Sequence, residues 1–446
     1  MTKQLNDHAL FTDLYQLTMM QAYMAEGMTG TAVFTLFVRR LPEHRNFLLV
    51  CGLDSVLAYL EALRFSDDDI SYLRSLNRFS DEFLRWLYDF RFSGDVHAVP
   101  EGTPLFANEP ILEIVAPIAQ AQLVETFVMN QVHVQTVLAS KGARVVAAAR
   151  GRTVVDFGAR RTHGLDAALK AARAFYIAGI HATSNVLAGR LYGIPVAGTM
   201  AHSYVQAHRD EREAFRAFAQ MFPDTVLLVD TYDTLDGVRR VIELVKHASG
   251  IRISAVRLDS GDVGPLARET RRMLDDAGLQ RIRIFASSEL DEYAIAALVD
   301  AGVPIDGFGV GTGMSVSDDA PALDIVYKLS EYDGEGRTKL SRDKPILPGR
   351  KQVFRRDATG TAVGDAIALA EERLDGRPLL RPMMRGGHRI HEATADLEWI
   401  RRYAAEELAR LPATVTAIEP LRSPYPVTVS PALEAHHARV QERLTR

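Results

Sequence analysis

At 446 residues, with 47% apolar and 24% charged side chains, the chain is long enough for two domains with full cores and has the balance of a soluble globular protein. A formal net charge of -5 and the lack of a basic stripe argue against nucleic-acid binding. The lone Cys51 excludes an internal disulfide and a multi-thiolate zinc site. There is no signal-peptide pattern and no apolar run of about 18 residues, so a cytoplasmic protein with no membrane span is expected.

Leu10, Leu14, Leu17 and Tyr23-Met24 recur at helical spacing, with Asp13 and Tyr15 on other faces. A strand-like run over 32–38 ends at Arg39-Arg40. Ser66 and Ser80 read as N-caps of two helices, each with acidic residues in its first turn. From 92 to 118, Gly, Pro and short β-prone pieces (96–99, 111–115) predict hairpins in a mixed β domain. A long helical segment over about 119–149 follows.

The middle of the chain then alternates hydrophobic runs with amphipathic helical segments. Each run ends in a small polar or charged cluster: Asp156-Phe157-Gly158-Ala159-Arg160-Arg161, then Gly198-Thr199-Met200-Ala201-His202-Ser203 after Pro195-Val196-Ala197, then Asp230-Thr231-Tyr232-Asp233. Arg257-Leu258-Asp259-Ser260-Gly261-Asp262, Ala286-Ser287-Ser288-Glu289 and Gly311-Thr312-Gly313 complete the series. Strands alternating with helices imply a parallel sheet whose right-handed crossovers collect every strand C-terminal end on one face. That is the layout of a barrel active site. After Gly313 come a strand over 325–329, a turn over 332–336, a proline-punctuated basic loop over 344–351, a strand over 366–370 and two Arg/Glu-rich helical stretches. The expected division is an N-terminal α+β domain over 1–150, an α/β-barrel catalytic domain over 151–330, and a segment over 331–446 packing back on the first domain.

Several side chains carry candidate chemistry. His202 follows a predicted strand, where a histidine can act as general base or as nucleophile toward phosphorus; a hydrogen-bonded structural histidine is the other reading. There is no His-Glu-x-x-His run and no His-x-His pair, so no metal site is expected. Arg257 suits a planar carboxylate or a phosphate, and Asp259 and Asp262 suit sugar hydroxyls or a divalent metal held through water. Alternatively, Arg257 and Asp259 form an ion pair and Asp262 caps the helix that starts at Val263. Gly311-Thr312-Gly313 reads as a phosphate nest or as a tight turn.

Together these segments resemble the nicotinate phosphoribosyltransferase family. The match runs in family order from about residue 11 to 355. It includes Thr12-Asp13-Leu14-Tyr15-Gln16-Leu17-Thr18-Met19, Phe37-Val38-Arg39, the clusters above at 156–161, 198–203, 230–233 and 257–262, Gly309-Val310-Gly311-Thr312 and Leu347-Pro348-Gly349-Arg350-Lys351-Gln352-Val353. The resemblance implies an irregular α/β-barrel of the type II phosphoribosyltransferase kind with an N-terminal mixed α+β sandwich. The implied reaction is transfer of ribosyl 5-phosphate from phosphoribosyl pyrophosphate to nicotinic acid, giving nicotinate mononucleotide and pyrophosphate. ATP hydrolysis is coupled to it through a phosphorylated His202, with Mg²⁺ accompanying the phosphorylated substrates. Phe157 and the Tyr15 of a second subunit would sandwich the pyridine ring in a homodimer with shared sites. Arg257 and Arg160 would meet the carboxylate or the phosphoribosyl group. Asp230 and Asp259 would hold ribose hydroxyls and Mg²⁺-bound pyrophosphate, and Gly311 and Thr312 the 5-phosphate. Arg39 and Lys351 would reach the donor across the dimer. Thr183 and Ser288 are carried over as substrate contacts, although the family often has Asn-Asp where Ser288-Glu289 stands. Ser184 aligns with an aspartate of the alternative, nicotinamide phosphoribosyltransferase; a neutral residue there favours a carboxylate-bearing acceptor.

Overall fold

The computed structural model describes residues 8–340, 346–391 and 395–446, and the chain forms two compact units: Met1–Ser140 with Ala322–Arg446, and Lys141–Pro321. Lys344 and Pro345 of the expected basic loop lie outside the described residues. No helix among the described residues is long and apolar enough to cross a membrane.

The first unit is built on a seven-stranded antiparallel sheet. Its order is Glu335–Gly336, Ile325–Tyr332, Thr31–Val38, Pro110–Pro117, Asp95–Ala98, Arg381–Arg385, His388–Arg389. Past its first residue, the central Thr31–Val38 strand is buried on both faces, which is why it reads as an unbroken apolar run. Ala32, Phe34, Leu36 and Val38 join a core with the helices Leu53–Ala62 and Asp81–Tyr88. The Ser66 and Ser80 side chains cap their helices as expected, accepting from the amides of Asp69 and Phe83. The long helical segment is interrupted at Val124, giving Ile118–Leu123 and Glu125–Ala149.

The opposite face of the sheet carries polar groups that must find partners once buried. Thr35 donates to Glu113 at 3.0 Å, and Glu113 also accepts the Lys351 amide at 3.1 Å. This ties on a four-stranded sheet ordered Arg377–Pro378, Lys351–Ala358, Thr361–Leu369, Val427–Val429. Within it, buried Arg355 grips Asp365 with Nε and a terminal nitrogen, at 3.1 and 2.7 Å. Tyr425 donates to the same carboxylate at 3.1 Å and stacks on Phe106 at 3.9 Å between ring centroids.

The second unit is a parallel sheet of six strands ordered Ala182–Thr183, Thr153–Asp156, Gly307–Val310, Arg283–Ala286, Ile253–Leu258, Thr225–Leu228. In chain order the last strand, Gly307–Val310, lies beside the first, Thr153–Asp156. That is the circular order of a barrel. An isolated parallel bridge from Thr183 to Val196 extends it by one more position, and the ring stays open between Val196 and Thr225 among the described residues. The expected strand at 195–197 is thus reduced to a single bridge. Helices Leu165–Ile177, Thr234–His247, Val263–Asp276 and Glu292–Asp300 form the crossovers. Gly237 permits one of them to dock tightly: a Cβ there would stand 2.1 Å from the Val229 carbonyl oxygen.

Candidate active site

Because all six strands are parallel, their C-terminal ends bring Asp156, Thr183, Asp230, Asp259, Ser287 and Gly311 to one rim. Phe157 follows the first strand, and its amide donates to the Val310 carbonyl at 2.8 Å. Its ring packs against Gly309, where a Cβ would come within 2.5 Å of a ring carbon. Only glycine leaves room for an aromatic plate at that place. The Arg257 guanidinium stands 5.9 Å from the centroid of the same ring.

Arg257 comes from the Ile253–Leu258 strand and makes no ion pair among the described residues. Its terminal nitrogens donate to Thr199 Oγ1 at 2.9 Å and the Met200 carbonyl at 3.2 Å, and its buried Nε has no hydrogen-bond partner among the described residues. Burial pulls its pKa down, against the opposing charges of Asp259 and Asp230. Neutral oxygens thus orient the guanidinium and leave its charge uncompensated at contact range, as anion binding requires. The ion-pair reading of Arg257 and Asp259 does not hold. Asp262 does stand at the N-cap of Val263–Asp276, but its side chain makes no capping hydrogen bond.

The carboxylates divide the work. Asp230, 8% exposed, accepts through Oδ2 from the Asp259 amide at 2.8 Å and from Ser260 at 2.6 Å, while its buried Oδ1 has no hydrogen-bond partner among the described residues. Asp259 accepts from the Ser287 hydroxyl at 2.5 Å through Oδ1, and its Oδ2 faces His202 Nε2 at 3.5 Å. His202 opens the short helix His202–Gln206, and its Nδ1 lies 3.1 Å from the Thr231 hydroxyl. Among the described residues no three side chains form a metal cluster. Two carboxylates with one orphaned oxygen do fit Mg²⁺, which takes one or two carboxylates and completes its shell with water and substrate phosphates.

Asp156 is the residue that sequence reasoning left without a role. Buried at the first strand end, it accepts from the Gly158 amide at 2.8 Å and the Thr183 hydroxyl at 2.8 Å, and burial raises its pKa. Thr183 therefore points into the protein; its oxygen also accepts from the Asn185 amide at 3.1 Å. Ser184, half-buried, is fixed by its amide to the Asp156 carbonyl at 2.8 Å. Arg160 is exposed nearby in sequence. The Ser287 hydroxyl makes the contact to Asp259, while Ser288 uses its carbonyl to accept from the Leu290 amide at 2.7 Å. Gly311 leads into the single turn Thr312–Ser315, with Thr312 exposed. Thr199 and Thr231 were also missed: a hydroxyl that positions another side chain leaves no spacing signature.

In the first unit, Asp13 and Gln16 form a capping box at the start of helix Leu14–Ala25, and Tyr15 between them is 48% exposed. Burial of its hydroxyl, then the charge of Glu125, pushes the Tyr15 pKa up to about 12. Arg39 is largely buried with its guanidinium 3.5 Å from Asp324, while its neighbour Arg40 is 84% exposed. Lys351 points inward: its side chain is 4% exposed, and its Nζ contacts Glu113 at 3.2 Å and the Gly349 carbonyl at 2.5 Å. An ammonium so enclosed cannot extend to a donor, which removes it from the expected site.

The model of the nicotinate phosphoribosyltransferase (NAPRTase) N-terminal domain matches residues 10–133, and that of the nicotinate phosphoribosyltransferase (NAPRTase) family matches residues 153–346. Nicotinate phosphoribosyltransferase pncB2 of Mycobacterium tuberculosis is 57% identical over 434 residues, covering 97% of this chain and 94% of that one. The Bacillus subtilis nicotinate phosphoribosyltransferase is 40% identical over 414 residues, with 90% and 83% covered. Among solved structures, human nicotinic acid phosphoribosyltransferase superimposes with a TM-score of 0.85 at 29% identity, covering 96% of this chain and 99% of that one. The chain belongs to the nicotinate phosphoribosyltransferase family and is an enzyme that moves ribosyl 5-phosphate from phosphoribosyl pyrophosphate to nicotinate.

Proposed function

We propose that the strand-end residues divide this reaction between a phosphorylatable histidine, an acceptor plate and a donor cradle, in a cytoplasmic enzyme that uses ATP as cosubstrate. The observation that carries the reading is the placing of His202 between Thr231 and Asp259. With Nδ1–H donated to Thr231, Nε2 holds the lone pair. It attacks the γ-phosphorus of ATP, the bond to the bridging oxygen breaks, and ADP departs. The positive charge left on the ring is offset by Asp259. Water later cleaves the phosphorus–nitrogen bond and releases phosphate.

The acceptor ring stacks on Phe157, with the partner subunit's Tyr15 closing the other face in a homodimer. Exposed apolar side chains support such an assembly: Phe11, Leu14 and Tyr15 in one unit, Val186 and Leu187 in the other. Base–aromatic stacking contributes about 1–3 kcal/mol per ring. Arg257, with exposed Arg160, meets the nicotinate carboxylate or the phosphoribosyl group, and Ser184 presents no charge against that carboxylate. Asp230 and Asp259 hold the ribose hydroxyls and would bind Mg²⁺, whose bound charge would offset the departing pyrophosphate. Gly311 and Thr312 receive the 5-phosphate, and Arg39 with Arg40 of the partner subunit reaches the pyrophosphate. Ser288 stays near this cradle through its loop. As the bond from C1 of the ribose to pyrophosphate breaks, the pyridine nitrogen lone pair closes on C1, and the protein's contribution is alignment and charge stabilisation.

The test is a product assay with nicotinate and nicotinamide, each with and without ATP. Nicotinate mononucleotide formation stimulated by ATP is expected. Equal or better kcat/KM with nicotinamide would overturn the acceptor assignment.

A further inference from the structure

Many arginines in this protein are matched to carboxylates. In the first unit alone Arg355 pairs with Asp365, Arg377 with Glu407, Arg389 with Asp54 and Arg337 with Glu335. Three arginines of this unit line one cavity of about 460 Å³ with no carboxylate facing them: Arg350, Arg373 and Arg385. None of the three makes an ion pair among the described residues. No carboxylate stands among the lining residues. Arg373 donates to backbone carbonyls, closest to that of Glu372 at 2.9 Å. The Nε of half-buried Arg350 is shielded from solvent and has no hydrogen-bond partner. A buried donor left unsatisfied carries a desolvation cost, which a ligand that accepts from it removes.

The backbone brings these groups together from four places. Arg350 follows Gly349 in a left-handed turn (φ +81°) and immediately precedes the Lys351–Ala358 strand. Arg385 ends the Arg381–Arg385 strand, and His97 sits on the neighbouring strand opposite Pro382. Arg373 lies in the loop after Thr361–Leu369. Burial, followed by the charge of Arg350, holds the His97 imidazole below its usual pKa, with Glu113 and Asp95 pulling the other way and Arg385 adding to the lowering. At neutral pH His97 is therefore a neutral group with one donor and one acceptor nitrogen. Phe354 and Leu380 give the cavity an apolar wall.

Three uncompensated guanidiniums around one cavity demand an occupant with several negative charges. Their planar forks match phosphate oxygens in pairs, so a chain of linked phosphates satisfies all three where a single carboxylate would not. We propose that the cavity of Arg350, Arg373, Arg385 and His97 is a second anion site of this enzyme, one that takes a polyphosphate chain, free or carried on a nucleoside. None of its lining residues belongs to the strand-end site, so occupancy by a phosphate compound would report on the cell's phosphate supply separately from catalysis.

The experiment is arginine labelling of the full-length protein with phenylglyoxal, mapped residue by residue by mass spectrometry, with and without inorganic tripolyphosphate or ATP. Modification of exposed Arg373 and Arg385 should slow by roughly tenfold in the presence of tripolyphosphate, the factor given by one charge-assisted contact of about 1.4 kcal/mol. Exposed Arg78 serves as the unprotected control. Protection of Arg373 should disappear in R350Q and, independently, in R385Q, whose side chain is at an exposed strand end and is the safer substitution for folding. It should persist in D259N, which alters the strand-end site. Stronger protection by ATP would show that the apolar wall receives a base; equal protection would show that the phosphate chain suffices, and either supports the site. Absence of protection, protection unchanged in both arginine variants, or protection lost in D259N would overturn it.

Discussion

His202 Nε2 stands 3.5 Å from Oδ2 of Asp259, while Nδ1 of the same ring meets the Thr231 hydroxyl at 3.1 Å. The two contacts fix the ring plane from both sides, and the hydrogen bond at one nitrogen selects the tautomer that determines the chemistry of the other. The His202→Ala enzyme should form no phosphoenzyme and show no ATP hydrolysis, yet keep a slow ATP-independent transfer, because Phe157, Arg257 and Asp259 remain. Acid-labile, base-stable label from ATP on the wild type, absent from the variant, is the measurement. Label retained in the variant would place the phosphorylated residue elsewhere. Thr231→Val should lower the labelling rate by roughly tenfold while leaving the ATP-independent rate intact, since it removes one hydrogen bond from the ring.

The second prediction tests the acceptor plate. Gly309→Ala puts a methyl group where ring carbons of Phe157 now lie, 2.5 Å from the new Cβ. The ring must tilt or withdraw, so kcat/KM for nicotinate should fall by roughly tenfold to a hundredfold, the equivalent of about 1–3 kcal/mol of stacking. Gly264→Ala is the control, because a Cβ there has no neighbour closer than 3.7 Å. Unchanged nicotinate kinetics in Gly309→Ala would remove Phe157 from the acceptor site.

The barrel was legible in the chain because each of its longer strands is an apolar run closed by a polar cluster, and parallel order follows from the intervening helices. Ala182–Thr183 is not legible as a strand, since two residues carry no alternation, and the strand read at 195–197 is only a single bridge at Val196. Ser287 and Ser288 show another limit. Adjacent residues at a strand end point in opposite directions, and only register decides which one meets Asp259. Lys351 was misjudged for a related reason: its partner Glu113 lies 238 residues earlier, and nothing local in Gly349-Arg350-Lys351 signals an inward turn. The unpartnered oxygen of Asp230 is likewise a property of packing alone.

The third prediction concerns stability and pH. Burial, then the charge of Asp365, raises the Glu109 carboxyl well above its usual pKa, against the pull of Arg355. In the unfolded chain Glu109 ionises from about pH 4.3 upward, while the folded protein keeps it protonated. The folded state then binds more protons, so stability falls as pH rises from the unfolded value through the folded one. Glu109→Gln preserves shape and has no proton to lose. Its urea midpoint should exceed that of the wild type near pH 8 and approach it below about pH 5. A variant less stable than wild type at both pH values would show that Glu109 acts as a buried anion.

Acceptor choice is tested at Ser184, held beside Asp156 by its amide at 2.8 Å. Ser184→Asp introduces a carboxylate that repels a substrate carboxylate and accepts from an amide NH₂. Specificity is a difference between two affinities, so the measurement is the ratio of kcat/KM for nicotinate to that for nicotinamide. The ratio should fall by at least about tenfold, chiefly through loss of nicotinate use. A ratio unchanged in a folded variant would mean that residue 184 does not face the acceptor.

The shared-site reading makes its own demand on the assembled enzyme. Tyr15 is 48% exposed on the first unit, and its pKa of about 12 keeps the ring neutral through the working range. Tyr15→Phe should therefore retain most activity and leave the pH profile unchanged, whereas Tyr15→Ala should raise the nicotinate KM. If Tyr15 completes the site of the other subunit, a mixed dimer of one Tyr15→Ala chain and one His202→Ala chain has one site with both defects and one with neither. Mixing the two impaired proteins under conditions of subunit exchange should then restore ATP-coupled activity, approaching half the wild-type value per mixed dimer. Demonstrated mixed dimers with no recovery would mean that Tyr15 and His202 serve the same site from the same chain.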